Sequence, residues 1–394
     1  MTLAERSVAI PAGPPARSAG GPAPLRVLHV HSGNLWGGVE TVLVAMAAER
    51  GRCGRLQPEY ALCFDGALRR RLAPTGVAQH DLGEVRWRSP LRVLAARRRM
   101  GALLRNRAYD AVITHSMWSH SLFAPVIRHH SPLLVHWAHD DVDGTHWLQR
   151  WARGTRPDLL IANSAFTAAG AATVFPGVPA RIVHYPLSLP LPAHASRRLE
   201  LRAELDTPAE EVVIVQVSRL EPWKGQHVLI DALGELRDVP AWHCWIVGGP
   251  QRPAEHAYLA SLQRQAAAHG IADRVRFAGH RDDVRDVLSA ADIFCQPNAS
   301  PEPFGIVLVE ALAAGLPVVA AASGGAREVV DESCGELVTP ADSRALARVL
   351  RALVADAGRR GRLAGRGPAR AATLCDPARQ LGAVAVALAS AQRP

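Results

Sequence analysis

Two successive series of short β-branched runs, each alternating with helical stretches, constrain this chain more than any other feature. The first series is LRVLHV (25–30), PEYALCF (58–64), DAVITHS (110–116), PLLVHWA (132–138), DLLIANS (158–164) and RIVHYPL (181–187). Between 187 and 208 prolines break the rhythm and lead into a short helix. The rhythm restarts with EVVIVQVSRL (211–220), WHCWIVGG (242–249), VRFAGH (275–280), DIFCQPN (292–298) and LPVVAAASGG (316–325). Such alternation predicts parallel sheets covered by helices. Its restart, in a chain of 394 residues, predicts two doubly wound Rossmann-like α/β domains with a cleft between them. The expected division is a disordered Ala/Pro/Gly-rich lead-in over 1–24, an N-terminal domain over 25–190 and a linker over 191–208. A C-terminal domain follows over 209–375, and a last helix over 376–394 packs back on the first domain. In open sheets of this kind ligands sit beyond the carboxyl ends of the strands, so the chemistry belongs in strand-end loops.

Composition narrows the function classes. No apolar run is long enough to span a bilayer. The six cysteines (Cys53, Cys63, Cys244, Cys295, Cys334, Cys375) are scattered without a CxxC pair, which points away from metal or disulfide frameworks and toward a reducing cytoplasm. The net charge of +9 is concentrated in 86–107, which carries eight arginines and no acid. No nucleic-acid recognition motif accompanies it. Two readings remain: a solvated helix face, or a peripheral contact with the anionic inner face of a membrane. Of 45 basic residues only Lys224 is a lysine, which marks a site where a compact ammonium is not exchanged for a planar guanidinium.

The segment SPEPFGIVLVEALAAGLPVVAAASGG (300–325) is the most informative. A helix starting near Gly305 leaves Glu302 in the loop at its N-terminus and puts Glu310 about one and a half turns along. Open amides over Phe304 to Val307 then meet a positive helix end, which suits a diphosphate, and the two carboxylates suit the hydroxyls of a sugar and a ribose. In VSRLEPWKG (217–225), directly after a strand, Arg219 and Lys224 provide two cationic donors of different shape for an anion.

Ser218-Arg219 with Lys224-Gly225, followed by Glu302 and Glu310 with seven residues between them, resembles the C-terminal signature of family 4 of the glycosyltransferases, which have the GT-B fold. GNLWGGVET (33–41) is similar to that family's Gly-Gly loop after the first strand. The resemblance covers nearly the whole chain past about residue 25. It implies that Arg219 and Lys224 hold the donor diphosphate with Gly37, Gly38 and the amides of Ile306 and Val307. It implies donor-sugar contacts from Glu302, Pro303, Phe304 and Gly305, and ribose contacts from Glu310. The family's histidine near the sugar C6 hydroxyl and the attacked carbon matches His139 best, with His136 second. Glu40 either takes part in the site or caps the following helix.

His136, His139 and His146 with Asp140, Asp141 and Asp143 have a composition suited to metal, but a three-residue spacing at a strand end points His136 and His139 to opposite faces, so no metal site is expected. His115, His120 and His136 are candidates for the acceptor side. The implied activity is retaining, metal-independent sugar transfer from a nucleoside-diphosphate sugar, a co-substrate rather than a cofactor, to a hydroxyl of a cell-envelope, exopolysaccharide or lipid-linked glycan. Catalysis would rest on Arg219, Lys224, Glu302 and His139, with fixed cations and amides stabilising the departing diphosphate. The alternatives are a nucleotide-sugar epimerase of the same fold and a non-catalytic nucleotide-sugar-binding protein.

Overall fold

The computed structural model describes residues 23–392 except 35, 87, 131–132 and 190–194. Most of the expected lead-in and the start of the linker therefore lie outside the described residues. The first sheet contains β1 (Leu25–His31), β2 (Leu56–Leu62), β3 (Gln79–Asp81), β4 (Ala111–Thr114), β5 (Leu133–Ala138), β6 (Leu159–Ala162) and β7 (Ala180–Ile182). Its order is β3-β2-β1-β4-β5-β6-β7, with every neighbour pair parallel. The second sheet contains β8 (Val212–Val217), β9 (Trp242–Val247), β10 (Val275–Gly279), β11 (Ile293–Gln296), β12 (Val318–Ala321) and β13 (Gly335–Val338). It runs β10-β9-β8-β11-β12-β13, again parallel throughout. Both are doubly wound, with topological switch points between β1 and β4 and between β8 and β11, where such sheets open to ligands. The central strands are buried on both faces, as their near-continuous Val, Ile and Leu content requires.

Two edge strands, β3 and β13, are absent from the sequence reading. QHD and GELV are short and carry no apolar alternation, because an edge strand is covered on fewer sides. The run RIVHYPL pairs with β6 only at Arg181 and Ile182. Beyond Ile182 the chain leaves the sheet, buries Tyr185 and Leu187, and bonds the Leu187 amide to the Cys375 carbonyl at 3.0 Å.

The expected linker helix, Ala195–Glu204, is part of the second domain's packing. Arg197 bridges Asp283 at 2.8 Å, and Arg198 and Arg202 hold opposite oxygens of Asp292 at 2.6 Å each. The C-terminal helix Pro377–Ala391 crosses back to the first domain, setting Leu381 and Val384 against Val27, Met46 and Leu56. One apolar core is continuous from Val27 in β1 through Tyr185 and Phe304 to Leu388. Each fully buried aliphatic side chain there contributes roughly 1.5–3 kcal/mol relative to exposure.

Candidate functional site

The loop after β8 and the loop after β11 meet at the carboxyl end of the second sheet. Gly225 makes that meeting possible: it has φ +71°, and a Cβ there would lie 2.0 Å from the Pro297 carbonyl oxygen. Lys224 is thereby placed against the β11 loop, and its Nζ lies 2.8 Å from Glu302 Oε2. Asn298 Nδ2 donates to the same oxygen at 2.7 Å and itself accepts from Gln296. The pair is largely shielded, with side-chain exposures of 13% and 12%, so its attraction is screened less than a surface pair's. Glu302 is fixed through its backbone too, since its carbonyl accepts from the Gly325 amide at 2.7 Å.

Arg219 lies on the same loop with its guanidinium 3.0 Å from Glu221. Glu221 also accepts from Trp223 Nε1 at 2.7 Å, and the Trp223 ring lies 3.8 Å from Lys224 Nζ. Glu221 and Trp223 thus hold the two cations in place, a role the sequence did not suggest for either residue.

The helix Ile306–Ala313 has Gly305 as its N-cap, so Glu302 lies in the loop before it and Glu310 within it. Its first backbone bonds run from Leu308 and Val309 to the Gly305 carbonyl, which leaves the Ile306 and Val307 amides pointing out of the helix end. Glu310 lies half-buried on this helix with no side-chain hydrogen bond or ion pair among the described residues. Burial pushes its carboxyl up to about 7.

Pro303 and Phe304 are tied to the opposite domain. Ser164 Oγ donates to the Pro303 carbonyl at 2.6 Å, and the buried Phe304 ring stacks on His184 and meets Tyr185 edge-on. The Phe304 side chain is therefore part of the interdomain contact, and only its backbone remains for a sugar. Gly38 completes the approach from the first domain: a Cβ there would come within 3.3 Å of Ile306 Cδ1. Gly37 is the N-cap of the helix Gly38–Glu49. Glu40 does not cap that helix; it is buried and bonded to His31 Nε2 at 2.7 Å. His31 Nδ1 is buried without a partner among the described residues.

The histidines are placed differently from expectation. His136 and His120 are core residues that share Thr114 Oγ1, at 3.1 and 2.9 Å, and pack on Phe175. Neither lines an open acceptor surface, because β4, β5 and the helix Met117–His129 turn them inward. His115 is also buried, as the middle of a chain: His29 Nδ1 to His115 Nε2 at 2.8 Å, His115 Nδ1 to His139 Nε2 at 2.9 Å, and His139 Nδ1 to the Tyr185 hydroxyl at 2.8 Å. Asn163 Nδ2 donates to the same hydroxyl at 2.5 Å. Burial holds His29 and His139 down at about 3 and keeps His115 well below the usual imidazole range. Each ring therefore carries one N–H, and His115, engaged at both nitrogens, must donate one way and accept the other. The direction chosen at one end sets the direction along the whole chain. Both ring nitrogens of His139 are taken, so a direct bond from them to a sugar hydroxyl requires displacing a partner.

The acidic run near His139 does not gather. Asp143 bonds to Thr145 in its own loop, while Asp140 lies near His31 and Glu40. Among the described residues no group of three or more His, Cys, Asp or Glu side chains is arranged to hold a metal ion.

Residues 197–370 match the family described as Glycosyl transferases group 1. Over 168 residues the chain is 39% identical to the lipopolysaccharide core biosynthesis glycosyltransferase LpsE of Rhizobium meliloti, covering 42% of this chain and 46% of that one. It is 37% identical over 221 residues to the GDP-mannose-dependent alpha-(1-6)-phosphatidylinositol monomannoside mannosyltransferase of Mycolicibacterium smegmatis, covering 52% and 54%. The chain thus spans about half the length of these relatives. Among solved structures it is similar to Anabaena HepE in complex with UDP-glucose, with a TM-score of 0.80 and 27% identity over 93% of this chain and 100% of that one.

Proposed function

We propose that this chain, whose residues 197–370 match the glycosyl transferases group 1 family, transfers a sugar from a nucleoside-diphosphate sugar to a hydroxyl acceptor. The observation that carries the reading is the Lys224–Glu302 pair beside the open end of the helix Ile306–Ala313. An ammonium has three donors; one goes to Glu302 and the others are available to a diphosphate oxygen. Arg219 and the Ile306 and Val307 amides supply further positive charge where negative charge develops on the leaving group. Glu302, held by Lys224 and Asn298, is arranged to accept from sugar hydroxyls. Glu310 is the acceptor for the ribose diol.

In the reaction the bond from the anomeric carbon to the diphosphate oxygen breaks and a bond to the acceptor oxygen forms on the same face. The acceptor proton passes to the departing diphosphate, so no separate base is required and configuration is retained. Fixed cations and amides take the place of a metal ion. His139 acts as a positioning residue for Tyr185, whose surroundings include Asp140 and Glu302. A UDP-glucose complex of a structural neighbour and a GDP-mannose-dependent relative support uridine and guanosine diphosphate sugars as the first donors to try.

Glycan and lipid-linked acceptors fit the relatives' printed names. No helix of the described residues is long and apolar enough to cross a membrane. The basic segment forms the helix Pro90–Asn106, with Leu91 80% and Leu94 46% exposed. Arg97 is pinned to the Leu122 carbonyl, which leaves Leu91, Leu94 and Arg98 for a peripheral contact with an anionic surface.

The test is transfer from radiolabelled UDP-glucose and GDP-mannose to membrane lipids and sugar phosphates in excess EDTA, with the product linkage read by NMR. Retained configuration without metal supports the reading; inversion, or activity only with added magnesium or manganese, overturns the mechanism.

A further inference from the structure

The helix Ala165–Val174 of the first domain does not complete its own N-terminus. Its N-cap Ser164 accepts from the Thr167 amide at 3.1 Å, which leaves the Ala165 and Phe166 amides without an acceptor inside the helix. Both are taken by Glu328, on the short helix Ala326–Val329 of the second domain. Glu328 Oε1 and Oε2 accept from the Ala165 amide at 2.9 and 3.0 Å, and Oε1 also accepts from Phe166 at 3.3 Å. A carboxylate is the favoured group at a positive helix end. Water satisfies such amides equally well on an isolated domain, so the first domain does not need Glu328 in order to fold.

Glu328 also leads back to the loop 302–305. Its amide donates to the Gly325 carbonyl at 2.9 Å, and the Gly325 amide donates to the Glu302 carbonyl at 2.7 Å. Gly325 packs so closely there that a Cβ would lie 2.5 Å from the Pro303 carbonyl oxygen and 2.8 Å from Phe304 Cα. Arg370 Nη2 donates to the Glu328 carbonyl at 2.6 Å and fixes the backbone that carries the carboxylate. On the other side of the loop, Ser164 Oγ donates to the Pro303 carbonyl at 2.6 Å, and Ser164 directly precedes Ala165. The His184 ring stacked on Phe304 is held in turn, its Nδ1 donating to the Asn163 carbonyl at 2.9 Å. The contacts close a circuit across the two domains: Glu302 to Gly325, along the chain to Glu328, across to Ala165 and Ser164, and back to Pro303.

We propose that Glu328 is a positioning residue for the donor sugar: by holding the first domain's helix it keeps Ser164 and His184 on the loop 302–305, and so sets where Glu302 meets the sugar hydroxyls. The inference rests on the glycosyltransferase reading above. Glu328 acts through that loop rather than on the donor. Arg219 and Lys224 stand on the second domain's own loop after β8, outside the circuit. Weakening Glu328 should therefore cost affinity for a donor only where the donor carries its sugar.

The test is calorimetry on the full chain with two pairs of ligands, UDP with UDP-glucose and GDP with GDP-mannose, using the pair that binds the native protein. In Glu328→Leu the Kd of the sugar nucleotide should rise about fivefold to tenfold, while the Kd of the free diphosphate stays within about twofold. Glu328→Gln keeps the shape and one acceptor oxygen, and its sugar-nucleotide Kd should rise about threefold. Ser164→Ala combined with Glu328→Leu should lose little more than Glu328→Leu alone, because both substitutions open the same circuit. Equal losses with and without the sugar, additive losses in the double variant, or unchanged sugar-nucleotide affinity in Glu328→Leu overturn the proposal. If Glu328→Leu does not fold, Glu328→Gln decides: a loss confined to the sugar nucleotide supports the proposal, and no loss, or an equal loss for both ligands, overturns it. A native protein that binds a nucleoside diphosphate but neither sugar nucleotide overturns this inference and leaves the diphosphate clamp standing. Failure to bind any of the four ligands overturns the donor reading, and this inference with it.

Discussion

Lys224 Nζ and Glu302 Oε2 lie 2.8 Å apart, joining the loop after β8 to the loop after β11 at the mouth of the helix Ile306–Ala313. The two residues are given different tasks, diphosphate and sugar, yet they form one unit before any donor arrives. Removing either charge leaves the other shielded and without its counter-charge, so the two effects on activity will not add.

Replacing Glu302 by Gln keeps the shape and removes the charge. Transfer from the nucleotide sugar should fall by roughly 10- to 150-fold in kcat/KM, the size of a lost hydrogen bond to a charged group. Affinity for the nucleoside diphosphate itself, which lacks the sugar, should stay within about threefold by calorimetry. An equal loss in both would show that Glu302 serves the diphosphate clamp rather than the sugar.

Glu310 gives a pH signature. Its carboxyl is raised to about 7 by burial, and ribose hydroxyls donate best to the ionised form. Nucleoside diphosphate affinity should therefore rise with pH through about 7, with proton release on binding. For the free protein the sign is opposite. A carboxyl with a raised folded pKa favours the fold when protonated, and that stability is lost as pH rises through about 7. Glu310→Gln should flatten the affinity profile and melt higher than the native protein at pH 8. A native affinity profile already flat from pH 6 to 8 would remove Glu310 from the ribose site.

The histidine chain is testable at its centre. His115→Phe keeps a ring of similar shape but strips a partner from His29 and from His139. Each buried group left unpaired costs about 1–3 kcal/mol of stability. Because the chain transmits one direction of donation, the substitution should also free His139 to change tautomer, visible in imidazole nitrogen NMR, and lower kcat while leaving donor KM within about twofold. Lower stability with unchanged kcat and tautomer would make the chain a structural feature alone.

The sequence told most where chemistry is local. The lone lysine, the two glutamates at fixed spacing and the glycine before a helix all lie on short segments whose geometry follows from strand-to-helix turns. Lys224 and Glu302 consequently meet at 2.8 Å, and Arg219 lies on the Lys224 loop with its guanidinium on Glu221. What the sequence hid depends on strand neighbours. His29, His115 and His139 come from the ends of β1, β4 and β5, separated by 86 and 24 residues, and only the sheet order makes them a chain. Tyr185 and Asn163 look like ordinary strand-end residues until the crossing segment brings them to His139. His120 on the helix Met117–His129 and His136 within β5 do not line an acceptor surface, because a histidine near a strand end satisfies either a ligand or a core threonine, and here Thr114 takes both.

The most direct test is titration of UDP, GDP and ADP into the native chain and into Lys224→Ala, by calorimetry in excess EDTA. At least one of the three should bind the native protein without metal, and Lys224→Ala should weaken that binding by roughly 10- to 150-fold while remaining folded. Native-like binding by Lys224→Ala, or binding that appears only when a divalent metal is restored, would contradict a metal-free clamp built on Lys224.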